Sequence, residues 1–185
     1  MSAIVIDDEI VHYEVLGRGR PLIFLHGWVG SWRYWIPSMQ ALSIDFRAYA
    51  LDFWGFGDTA KQATRYSLTE QAKLILRFMD QLGILRAAFV GHGLGGVAAL
   101  NFASRHPDYV ERMMVVNTPL VGAALNPRFS NSEVSALADW LLGREPGVEA
   151  ISAEANKADN AALAVSVKDL QEIDLRNDLL NLSAP

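Results

Sequence analysis

The sequence predicts an α/β protein with a mostly parallel sheet covered on both faces. Three features say so. Short apolar runs alternate with helix-length stretches over residues 1–119, as parallel strands and their crossovers require. Leu22-Ile23-Phe24-Leu25 is continuously apolar, the mark of a strand buried on both sides. Ala87-Ala88-Phe89-Val90 runs into Gly91-His92-Gly93-Leu94-Gly95-Gly96 and then the small-residue stretch Val97–Ala103, which reads as strand, sharp turn and helix.

The elements follow in order. Ala3–Ile6 and Glu9–Val15 alternate around Asp7-Asp8 and read as a β-hairpin. Gly17-Arg18-Gly19-Arg20-Pro21 is a turn leading into Leu22–Leu25. Trp32–Leu42 is expected to be helical, with Pro37 as its weak point unless the helix only begins there. Phe46–Leu51 is the next strand. Ser67 and Glu70 form a capping-box pattern, each able to satisfy an orphan N–H of a first turn. Leu68, Ala72, Ile75, Met79 and Leu82 then recur at helical spacing, and Gly83 ends that helix. Phe89-Val90, the helix after the glycine-rich turn and the strand Arg112–Val116 complete a βαβ pattern. Right-handed crossovers place the strand ends, and any ligand, along one edge of such a sheet.

After Asn117-Thr118-Pro119 the alternation stops. Ser132–Leu142 reads as a helix capped by Asn131 or Ser132 and closed by Gly143. Val148–Leu163 is alanine-rich and reads as one helix, and Val165–Leu180 is mixed. Residues 1–119 are therefore assigned to the core and residues 120–185 to a helical excursion from it.

A chain of 185 residues suits one domain with a substantial core, and 51% hydrophobic with 20% charged residues is an ordinary globular composition. The chain has no apolar run of about 18 residues, so no membrane span is expected. The N-terminus lacks the pattern of a signal peptide and cysteine is absent, which fits a cytoplasmic location and excludes disulfides and thiolate metal sites. Residues 1–119 carry 11 acidic and 11 basic side chains, so the net charge of −5 lies wholly in the last third. No basic patch is present to neutralise a phosphate backbone, which argues against nucleic acid as a partner.

Gly91–Gly96 has the frame of a G-x-S-x-G turn with Gly93 at the serine position. His26-Gly27-Trp28 follows the third strand, and Asp52-Phe53-Trp54-Gly55-Phe56-Gly57-Asp58-Thr59 follows the fourth with the pattern D-x-x-G-x-G-x-S/T. Arg105-His106-Pro107-Asp108-Tyr109-Val110 leads into the sixth strand. In this order and spacing the four motifs resemble the α/β-hydrolase superfamily, in the branch of small cofactor-free hydrolases with a helical cap.

The resemblance implies an α/β-hydrolase fold with a helical cap, and hydrolysis of a small apolar ester-like or related carbonyl substrate through an acyl-enzyme, without cofactor or metal. It implies an oxyanion hole made by the backbone N–H groups of Trp28 and Leu94. It places His26, Gly27, Trp28, His92, Leu120 and Val121 against the substrate. The chain departs from the pattern twice. Gly93 has no side chain with which to attack. The segment from Asp174-Leu175-Arg176-Asn177 to Leu182-Ser183-Ala184-Pro185 resembles the return from the cap before a seventh strand, so the fold is expected to be truncated after the sixth. The family's acid and histidine usually lie beyond that point, and Val116-Asn117-Thr118-Pro119 supplies no carboxylate in their stead. The sixth strand is then an apolar edge open to self-association or to a complementary C-terminal segment.

Three functional readings follow: an inactivated or partly represented hydrolase, a non-catalytic binder of a small apolar ligand or a protein, and hydrolysis through water activated by His92 or by residues outside this chain. His12 and His106 read as structural, and Asp52 as the holder of its turn. No histidine pair has metal-ligand spacing. The aromatic set Trp28, Trp32, Tyr34, Trp35, Phe53 and Trp54 is a candidate pocket wall. Gly91-x-Gly93-x-x-Gly96 also fits a dinucleotide fingerprint, but the acidic residue expected about 20 positions on is Asn117.

Overall fold

Asp7 and Asp8 turn the chain through positive φ at both positions (51° and 65°), which matches the twist of a two-residue hairpin. They join strand β1 (Ser2–Ile6) to β2 (Glu9–Gly17) with Ile6 opposite Glu9. The computed structural model describes residues 2–143, 149–180 and 182. Strands β3 (Arg20–Leu25), β4 (Phe46–Leu51), β5 (Ala87–His92) and β6 (Val110–Val116) complete a sheet of order β1-β2-β4-β3-β5-β6. The hairpin pairs antiparallel with β4, and β4, β3, β5 and β6 run parallel.

Alternation along β3 shows why its sequence is continuously apolar. Ile23 and Leu25 enter the larger core, while Leu22 and Phe24 enter a second one with Met39 on the opposite face. Helix α1 (Ile36–Leu42) covers that second face, and α2 (Leu68–Gln81) and α3 (Leu94–Arg105) cover the first. Pro37 lies in the first turn of α1, where its missing N–H costs nothing, and Trp32–Trp35 forms a separate 3-10 turn. At α2 the Ser67 hydroxyl accepts from the Glu70 N–H (3.2 Å), and the Glu70 carboxylate pairs with Lys73.

The remainder is helical: α4 (Arg128–Asn131), α5 (Val134–Leu142), α6 (Glu149–Ala155), α7 (Asn160–Gln171) and α8 (Arg176–Leu180). Two expectations are corrected here. Neither Asn131 nor Ser132 caps α5, because the Val134 N–H is taken by the Asn160 side chain from α7 at 2.9 Å. The alanine-rich stretch is two helices, since Asp159 caps a new one by accepting from the Ala161 N–H, and Val148 lies outside the described residues. Residues 183–185 of the expected return segment also lie outside them.

Helix α7 ties this cap to the core. Asp169 accepts from the Leu68 N–H at the start of α2 (2.9 Å), and the Tyr66 hydroxyl donates to Asp159 (2.7 Å). No helix of the described residues is long and apolar enough to cross a membrane.

Candidate active site

Gly93 sits between β5 and α3 with φ 52° and ψ −113°, a backbone conformation that side chains resist. Its N–H donates to the Val116 carbonyl (3.0 Å), and its carbonyl accepts from the Val97 N–H (3.1 Å). A methyl group built on Gly93 would stand 3.4 Å from the Trp28 ring, which is ordinary contact. The cost of a side chain here is therefore conformational and not steric. Gly93→Ser is expected to cost about 1–3 kcal/mol, or about 2–12 °C in Tm for a domain of this size. Thermal unfolding of both proteins checks it, and a serine variant that melts higher would show that the turn is unstrained.

The turn after β3 faces this point. His26 is wholly buried, and its Nε2 accepts from the Phe53 N–H (3.0 Å). Its proton must then lie on Nδ1, which donates to the Gly27 carbonyl (2.8 Å). Burial pushes its pKa down, so the ring stays neutral and able to accept. The Gly27 N–H donates to the Tyr34 hydroxyl, which lies 3.4 Å from His92 Nδ1. Burial likewise lowers the His92 pKa and raises that of the Tyr34 phenol, keeping both neutral. Asp52, also wholly buried, holds the turn after β4 by accepting from the Trp32 and Asp58 N–H groups.

A cavity of about 480 Å3 opens over Gly93. Gly27, Trp28, His92 and Gly93 line it, with Asn117, Thr118 and Asn126 as further polar groups. Its apolar wall is Val29, Leu125, Phe129 and Leu141 together with Trp28. Among the described residues the wall holds no carboxylate, and its one imidazole is His92. The Thr118 hydroxyl is committed to the Val116 carbonyl (3.2 Å). Neither the Trp28 N–H nor the Leu94 N–H donates to another described group of the chain.

Several sequence-stated residues stand elsewhere. His26 lies behind the cavity and shapes its loop. Leu120 and Val121 are off the wall because they fasten the cap: the Leu120 carbonyl accepts from the Leu175 N–H (2.8 Å), and Val121 bridges to Asp174. The side chain of Leu94 is buried in the core. His92 borders the cavity beside Gly93. Of the six aromatics, Trp28 alone reaches this wall. Phe53 and Trp54 are wholly buried, and Trp32 and Trp35 pack against the second core. No local pattern marks the wall residues after position 121, because Leu125, Phe129 and Leu141 meet only when the segment with α4 and α5 folds over the strand ends. Asn117 carried a local signal: it is the one non-glycine residue outside the hairpin with positive φ (48°) among those described.

Folding also brings together His12, Asp52 and Asp58, whose ligand atoms lie within 4.8 Å of one another. These groups are already engaged: His12 Nδ1 with Asp52 at 3.0 Å, and Asp58 with Lys157 at 2.9 Å.

A family profile described as alpha/beta hydrolase fold matches residues 20–176. The chain belongs to the α/β-hydrolase family. It is 32% identical to bifunctional epoxide hydrolase 2 of Sus scrofa over 153 residues, covering 79% of this chain and 27% of that one. It is 29% identical to a pimeloyl-[acyl-carrier protein] methyl ester esterase of Vibrio cholerae over 199 residues, covering 95% of this chain and 76% of that one. Its fold superposes on the enol-lactonase of Burkholderia xenovorans with TM-score 0.86 at 26% identity, covering 100% of this chain and 78% of that one. The chain spans about a third or less of the length of several curated relatives that it matches. In this α/β-hydrolase the spacing Gly91-x-Gly93-x-x-Gly96 reflects packing. Methyl groups on Gly91 and Gly96 would collide with Gly95 and Thr118.

Proposed function

We propose that this α/β-hydrolase-family protein takes small, largely apolar carbonyl compounds, esters or lactones, into the cavity over Gly93, and that their hydrolysis is impaired in this chain. The observation that carries the reading is Gly93 itself: a turn in nucleophile-bearing geometry, at a cavity, with no side chain to attack. The Trp28 and Leu94 N–H groups serve as the oxyanion donors, since neither has an acceptor among the described residues and Leu94 opens a helix, whose first N–H groups lack intrahelical partners. The relatives named above, an epoxide hydrolase, an esterase and a lactonase, support a small-molecule substrate. The unpaired edge of β6, where Met114 is 62% exposed, would take a further strand from a C-terminal segment or a second copy.

The test is hydrolysis of p-nitrophenyl butyrate by the protein and by Gly93→Ser. Turnover at the buffer rate is expected with glycine, and a rise is expected with serine once an acid and a histidine are supplied. Turnover by the glycine protein that His92→Ala abolishes would overturn the impairment and place the reaction on water held by His92.

A further inference from the structure

Ser166 is wholly buried on α7. Its hydroxyl oxygen accepts from the Trp28 indole Nε1–H at 3.0 Å, and its own proton goes back to the Ala162 carbonyl at 2.7 Å. A serine that bonds the preceding turn is a mild liability in a helix interior. The indole it serves lies against Gly93 on one side and meets Phe129 edge-on at 5.1 Å on another. Three other indoles, Trp32, Trp35 and Trp54, leave buried N–H groups without a partner among the described residues. The fold thus tolerates an unpaired indole elsewhere but supplies a cap hydroxyl to the one beside Gly93.

We propose that Ser166 is a positioning residue: through the Trp28 indole it fixes the turn that carries the Trp28 backbone N–H, so that the cap sets the carbonyl-binding corner of the cavity. The inference rests on the reading of that N–H as an oxyanion donor. The ring and the N–H belong to one residue, so pinning the ring between α7, Phe129 and Gly93 limits the rotation of the peptide that points the N–H. The hydrogen bond is also the polar link from α7 to the Trp28 turn among the described residues.

Two probes differing only in their head test this: phenylacetate, whose carboxylate accepts hydrogen bonds from the corner, and 2-phenylethanol. Calorimetric affinities are measured for the native protein, Ser166→Ala, Trp28→Phe, which removes the indole donor together with part of the ring, and the double variant. Ser166→Ala is expected to weaken phenylacetate about three- to tenfold, the worth of one net hydrogen bond, and to leave 2-phenylethanol unchanged. Trp28→Phe, which also takes apolar surface from the wall, should weaken both probes and phenylacetate the more, and adding Ser166→Ala to it should cause no further loss. In amide NMR spectra the Trp28 backbone signal should shift or broaden in Ser166→Ala while that of Phe89 stays. Equal losses for both probes, or an unmoved Trp28 amide, would overturn the positioning role and leave Ser166 as packing. If the native protein shows no preference for phenylacetate, the donor reading falls and the proposal with it. If the preference is present and survives Ser166→Ala, the proposal alone falls.

Discussion

Asp52→Ala is expected to cost about 3–5 kcal/mol of folding stability, because it strips a wholly buried acceptor from three donors at once, the His12 ring among them buried and the two N–H groups part-buried. Its Oδ1 accepts from the Trp32 N–H (2.7 Å), and its Oδ2 from the Asp58 N–H (3.1 Å) and His12 Nδ1 (3.0 Å). Its own backbone carbonyl accepts from the Thr59 hydroxyl (2.9 Å), whose oxygen accepts from the His12 N–H (2.9 Å). One residue therefore joins the hairpin, the turn before α1 and the turn after β4. Gly57 is glycine because a methyl group there would run into the same carboxylate. Urea denaturation measures the loss, and an unchanged slope would show that the native fold persists. A loss below about 1 kcal/mol would mean that water replaces the carboxylate at all three donors.

The same variant removes a pH dependence. Burial opposes charge on His12, but the hydrogen bond and charge of Asp52 outweigh it, and the His12 pKa is raised above its usual 6.5. A raised folded-state pKa favours folding fully below the unfolded value and loses that contribution as pH rises through the folded value. Native stability should therefore fall as pH climbs above 6.5, and Asp52→Ala should flatten that fall.

Gly95→Ala is expected to cost about 3 kcal/mol, by overpacking. Position 95 lies in the first turn of α3, against the end of β3, and an added methyl would be driven into the Leu25 carbonyl. Backbone cannot rotate aside as a side-chain tip would, so α3 must lift from the sheet, and with it the turn at Gly93. Gly83→Ala is the control: its φ is positive (67°), unlike that of the helical Gly95, and nothing stands within 4 Å, so only the conformational cost of about 1 kcal/mol remains. Melting temperatures of the two variants separate close approach from backbone strain. Equal losses would refute the steric account.

The hairpin, the four parallel strands, α2, α3 and the Gly93 turn were legible because each is written in local chemistry. Asp7-Asp8 accepts positive φ, Leu22–Leu25 is apolar on both sides, and Ser67 offers a hydroxyl to a first turn. The start of α5 was less so. Asn160 serves Val134 across 26 positions, and no local pattern records such a partner. The aromatic set misled for a similar reason: Trp28 and Trp54 are alike in sequence, but one meets the cavity and the other the core.

The sequence by itself determined the order of strands and helices in the first 119 residues, the glycine-rich turn at Gly93 and the four motifs that resemble the α/β-hydrolase family. Periodicity, turn chemistry and the absence of a side chain are properties of neighbouring residues. The tertiary structure alone decided which residues wall the cavity, that His26 supports the loop while His92 borders the site, and that a serine of the cap grips Trp28 across 138 positions. Those relations are set by how α4, α5 and α7 pack over the strand ends, and packing joins residues by shape and hydrogen-bond need, not by nearness in the chain.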